Sequence, residues 1–136
     1  MKFISKNKVR MHDTDMAQRL YFARQFRFAN DALEDWSFSR DLDYFHLAME
    51  KGFMFVIVHA EADYYKQMRV GEEVEIHLSC EHIGTTSFSL MYQIYRNKDE
   101  MVGLCRTVHV TISTKTGEKI PLPDALKEHL QKIFVK

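Results

Sequence analysis

Three segments in the second half of the chain alternate apolar and polar residues with period two, and short polar breaks separate them. Val74, Ile76, Leu78 and Cys80 interleave with Glu75, His77, Ser79 and Glu81. Phe88, Leu90, Tyr92 and Ile94 follow, and Val102, Leu104, Arg106, Val108, Val110 and Ile112 make a last long run. Successive strand side chains point to opposite faces, so such runs bury one face and wet the other. A break such as Arg96-Asn97-Lys98-Asp99 has room for a hairpin turn but not for a crossover helix. Strands joined this way lie antiparallel, which makes an antiparallel meander the centre of the fold.

The first half follows a different period. Phe22, Phe26, Ala29, Leu33 and Trp36 recur at steps of four and three and predict one long helix. Phe28 and Ala32 widen its apolar stripe, while Arg24, Arg27, Asp31, Glu34 and Asp35 fill the opposite face. A shorter helix is predicted over Asp41 to Lys51 on the stripe Leu42, Phe45 and Met49, with Gly52 as its C-terminal cap. A first strand is expected from Lys6 to Met11. The nearly continuous apolar run that opens Phe53 to Lys66 reads as a central strand. Pro121 and Pro123 introduce a terminal helix from Asp124 to Phe134. One antiparallel sheet with one covered helix is an α+β arrangement, and 1–136 reads as a single domain.

Composition narrows the function. Lys+Arg and Asp+Glu both number 19, so no basic field attracts nucleic acid or an anionic membrane surface. No apolar segment reaches the length of a membrane span, and the N-terminus lacks the apolar run of a signal peptide. Cys80 and Cys105, the two cysteines, each lie within an alternating segment and read as free thiols in a reducing cytoplasm. The seven histidines show no ligand spacing, so no metal site is expected.

The polar stretch His12-Asp13-Thr14-Asp15 stands just ahead of the long helix. A helix N-terminus offers unpaired N–H groups and partial positive charge to a polarised oxygen. As a residue type, Asp15 fits a loop carboxylate capping that helix. Spacing alone favours that reading over a carboxylate that attacks an acyl group while an N–H steadies the developing negative charge. Asp13 is expected to accept backbone hydrogen bonds and shape the loop. No serine sits in a Gly-x-Ser-x-Gly elbow, which leaves a serine hydrolase unsupported.

Four stretches, in order, resemble the hotdog-fold acyl-CoA thioesterases, most closely the 4-hydroxybenzoyl-CoA and 1,4-dihydroxy-2-naphthoyl-CoA thioesterase group. They are Val9 to Ala23 with its Asp-x-Asp pair, Ala62 to Val74, Ile83-Gly84-Thr85-Thr86-Ser87-Phe88, and Lys119-Ile120-Pro121-Leu122-Pro123. The resemblance implies an antiparallel sheet wrapped around one long central helix. It implies hydrolysis of an acyl-CoA or aroyl-CoA thioester, with Asp15 as nucleophile or general base and the Phe22 N–H polarising the carbonyl. Tyr21 and Ala23 would wall the substrate, and Lys66 and Arg69 would meet the coenzyme A phosphates. No cofactor is needed, coenzyme A being part of the substrate. A homodimer is implied, with sheets joined edge to edge and the possibility of a dimer of dimers. The chain departs from the family pattern at Gln18, where relatives carry Gly, at Arg24, where many carry Asn, at Asn30 and at Thr86. The Gln18 and Arg24 departures motivate the alternative of a non-catalytic module that binds an acyl thioester or a protein.

Overall fold

The computed structural model describes residues 1–135. Five antiparallel strands form one sheet: β1 Phe3–Lys8, β2 Phe53–Tyr64, β3 Glu73–Ile83, β4 Ser87–Arg96 and β5 Glu100–Ser113, in the spatial order β1-β3-β4-β5-β2. The meander is β3, β4 and β5. Helix α1, Gln25–Ser39, packs across one face of the sheet, and α2, Asp124–Lys132, closes the chain.

The core lies between α1 and the sheet. Phe28, Ala32 and Trp36 are fully buried against Ile76, Leu78, Phe88, Leu90 and Ile94 in one apolar cluster. Ala29 is buried as expected, but Phe22 is 63 % exposed, because the residues Phe22–Arg24 form a 3₁₀ turn before α1 begins. The tighter winding of that turn takes Phe22 off the stripe, and Gln25 holds the buried position instead.

Four further expectations are corrected. The strand expected over Lys6 to Met11 runs instead over Phe3–Lys8, because Met11–Asp13 coils into a 3₁₀ turn. The helix expected over Asp41 to Lys51 is a π-helical segment, Phe45–Lys51. It buries Leu47 and leaves Phe45 and Met49 exposed, while Leu42 is buried ahead of it, in the turn after α1 where its N–H donates to Ser37 O. Gly52 does close it, at φ +78°.

Strand β2 is an edge strand, not a central one. It pairs with β5 alone, and Ile57 and Val58 are exposed along it. Strand β5, finally, turns its other face to the core. Phe88, Leu90, Tyr92 and Ile94 stand opposite His109, Thr107, Cys105 and Gly103. The helix side of β5 therefore carries small and polar residues rather than Leu104, Arg106, Val108 and Val110. Gly103 there is in close contact with the Gln25 side chain.

Candidate active site

The loop between β1 and α1 is anchored by Asp13. Its side chain is wholly buried and accepts from the Arg10 N–H at 2.8 Å, as expected, and also from Nε and Nη2 of Arg27. A planar guanidinium meets a carboxylate with two parallel donors, the strongest geometry such a pair has. Burial pushes the Asp13 carboxyl up, but the Arg27 hydrogen bond, the Arg10 N–H and the cationic charge outweigh it and hold the carboxyl below its ordinary value. Arg27 also donates to Lys8 O at 3.0 Å and to Asp31 at 2.8 Å. It is thus a half-buried tie between loop, β1 and α1, not a residue of a solvated face.

Asp15 stands on the exposed turn that this tie supports. The Asp15 N–H donates to Arg19 O and the Gln18 N–H to Asp15 O, and Thr14 and Leu20 bridge across the base. Oδ1 of Asp15 accepts from the Ala17 N–H at 2.9 Å and the Arg19 N–H at 3.3 Å. Asp15 therefore caps its own turn rather than the helix. Oδ2 has no hydrogen-bond partner among the described residues. Gln18 adopts φ +62°, the left-handed region that a glycine enters freely. The turn thus has the conformation a glycine would favour, held here by a side-chain-bearing residue at a cost in strain.

Asp15 and Phe22 border one cleft of about 460 Å³, closed on its other sides by Arg19, Leu20, Tyr64, Lys66 and Met68. At its wall the chain enters α1. The Tyr21 N–H donates to Asp13 O and the Arg24 N–H to Tyr21 O, whereas the Phe22 and Ala23 N–H groups have no acceptor among the described residues. These are the uncommitted donors that a helix start provides. Tyr21 and Ala23 are exposed beside them but do not line the cleft.

The expected basic contacts divide. Lys66 lines the cleft with its Nζ 3.0 Å from Glu100 Oε2, so its charge is already partnered. Arg69 is exposed next to Arg19 across a β-bridge and lies outside the cleft lining. Arg19, which the sequence did not single out, lines the cleft and makes no ion pair among the described residues. Gln25 and Tyr64 were missed as well. Gln25 falls on a buried helical position where only an apolar residue is anticipated, and Tyr64 reads as one more residue of a strand.

Other reactive groups lie elsewhere or are silenced. Burial pushes the Cys80 and Cys105 thiols up to about 11, so neither is a nucleophile near neutrality. Asp31 is consumed by Arg27 and Asn7. Asn30 lines a separate cleft of about 380 Å³ with Leu33, Glu34, Asp43 and Phe55. Asp41, Asp43 and His46 bring their ligand-type atoms within 4.8 Å of one another, and there the His46 ring already hydrogen-bonds Asp43 at 2.7 Å.

An antiparallel sheet wrapped over one long helix, with a carboxylate and free amides at the helix start, defines a hotdog-type fold of the thioesterase kind. The model of the thioesterase-like superfamily matches residues 9–130, and the chain belongs to that family. It is similar to a 1,4-dihydroxy-2-naphthoyl-CoA hydrolase of Gloeothece citriformis, 30% identical over 132 residues that span 92% of this chain and 89% of the relative. The hydrolase of the same name from Synechococcus elongatus is 29% identical over 124 residues, 90% of each chain. Among solved structures, a 1,4-dihydroxy-2-naphthoyl-CoA thioesterase from Synechocystis superposes with a TM-score of 0.88 over 98% of both chains at 23% identity, a likeness of fold. The expected class, thioester hydrolase, agrees with the names of these relatives. No helix among the described residues is long and apolar enough to cross a membrane.

Proposed function

We propose that this protein hydrolyses an acyl-CoA or aroyl-CoA thioester at the cleft between Asp15 and the start of α1. The observation that carries the reading is the pairing, in one cleft, of a carboxylate oxygen without a partner and of the Phe22 N–H without an acceptor. The carbonyl oxygen would rest on the Phe22 N–H while Asp15 Oδ2 attacks the carbonyl carbon or takes a proton from an attacking water. The tetrahedral intermediate then expels the coenzyme A thiolate with the C–S electron pair. A thiol of pKa about 8.5 leaves without an acid catalyst. In the nucleophilic route, water finally opens the mixed anhydride and frees Asp15.

The names of the curated relatives favour an aromatic acyl group such as a hydroxylated naphthoyl. Arg19 joins Lys66 and Arg69 as a candidate for the coenzyme A phosphates. A second copy of the chain is the proposed partner along the open edge of β2, where Ile57 and Val58 are exposed, and such dimers can pair again. Two free, buried thiols suit a reducing compartment, and the cytoplasm is the proposed location.

The test is release of free thiol from aromatic and medium- to long-chain acyl-CoAs by the wild type beside Asp15→Asn. Turnover is expected to vanish in the variant while folding and oligomerisation persist. Phe22→Ala should lose less, since its N–H remains. A variant with near-wild-type rates removes Asp15 from the chemistry. A wild type that binds but releases no thiol from any substrate replaces hydrolysis with the binding-module reading.

A further inference from the structure

Two hydrogen bonds run in opposite directions between the start of α1 and the end of β2. Gln25 Nε2 donates to Asp63 O at 3.0 Å, and the Tyr64 hydroxyl donates to Phe22 O at 2.8 Å. Partners 38 and 42 residues apart in sequence are thereby bracketed together. The local structure is built to allow it. Strand β2 slips register at Val58, between Ile57 and His59, and the slip sets Tyr64 opposite Gly103 on the helix side of the sheet. Gly103 makes the room, for a Cβ there would stand 2.5 Å from Gln25 Oε1. That oxygen is buried and has no partner among the described residues, a cost an ordinary packing position avoids.

We propose that Tyr64 is a positioning residue of the thioester site: by holding the Phe22 carbonyl it fixes the 3₁₀ turn that presents the Phe22 N–H to the oxyanion. Phe22 O also accepts from the Gln25 N–H, so the carbonyl is held from the helix by the backbone and from β2 by the Tyr64 hydroxyl. Burial raises the Tyr64 phenol above its ordinary value, and the hydroxyl keeps the proton it donates. Gln25 and Gly103 act through Tyr64, by holding the end of β2 from which it projects.

This inference rests on the proposed hydrolysis, and the experiment separates the two. Steady-state thiol release is measured for wild type, Asp15→Asn, Tyr64→Phe and Gly103→Ala, with melting temperatures alongside. Tyr64→Phe is expected to lower kcat about tenfold, the scale of one aligning hydrogen bond at a developing oxyanion, with KM little changed and melting unaltered. Gly103→Ala, which displaces the Gln25 amide from beneath the turn, is expected to lower kcat in the same sense. An unchanged kcat in Tyr64→Phe, or a loss confined to KM, overturns the positioning role. A fall in Tyr64→Phe that Gly103→Ala does not share while remaining folded also overturns it, since Tyr64 would then act on the substrate directly. Should Asp15→Asn retain turnover, the hydrolytic reading itself falls, whatever Tyr64 does.

Discussion

Lowering the pH from neutrality should destabilise this protein through one histidine on the core face of β5. His109 has no exposed surface, stacks on Phe88 with ring centroids 4.9 Å apart, and meets the edge of Phe55 at 5.5 Å. Nε2 lies 2.7 Å from Thr107 Oγ1, which in turn bonds the Tyr92 hydroxyl, and Nδ1 has no partner among the described residues. Burial pushes the imidazole down from 6.5 to about 4. A depressed folded-state pKa means the unfolded chain binds the proton first. The stabilisation is therefore complete above the unfolded value and is lost as the pH falls through the window from 6.5 towards 4. With those two values, going from about pH 7 to about pH 5 removes roughly 2 kcal/mol through His109 alone. His109→Phe keeps a ring in the stack and leaves Thr107 bonded to Tyr92, but does not titrate. Urea unfolding of both proteins across this range, at one protein concentration, isolates the contribution as the difference between their free energies. Other titrating groups, such as Asp13 and His129, are common to both and cancel. A difference that stays constant from about pH 7 to about pH 5 refutes the assignment.

Two further outcomes are expected. Gln18→Gly should stabilise the fold by about 1 kcal/mol, because glycine occupies the left-handed conformation at φ +62° without strain; an unchanged or lower melting temperature contradicts this. Arg27→Met should destabilise by roughly 3 kcal/mol or more in urea unfolding near neutral pH, since it strands a fully buried carboxylate, and a loss below about 1 kcal/mol would show that Asp13 finds another partner.

Much of the fold is written locally. The period-two runs identify β3, β4 and β5 as strands and their turns as hairpins, and Phe28, Ala32 and Trp36 mark the buried side of α1. These features survive because each depends on neighbours in sequence, through strand pleat or helical repeat. Gly52, at the end of the π-helical segment, belongs with them, since a left-handed cap is a local demand met by one residue type. The Asp15 turn and its place before the long helix were legible too, through order and spacing.

What the sequence left undecided is what depends on distant partners. An apolar strand reads alike at the centre or the edge of a sheet, and only the pairing with β5 alone places β2 at the edge. Which face of β5 meets the core was settled by register against β4, which sets His109, Thr107, Cys105 and Gly103 under the helix in place of the branched residues. Arg27 joins Asp13 across 14 residues and Tyr64 reaches Phe22 across 42, and no periodicity announces either contact. The chain's own pattern thus determines the β3–β5 meander and the long helix, and its resemblance to the thioesterases supplies the catalytic candidate. Tertiary structure alone decides which backbone donors at the start of α1 stay free and what holds them there, because hydrogen bonds between remote segments exist only once the chain has closed on itself.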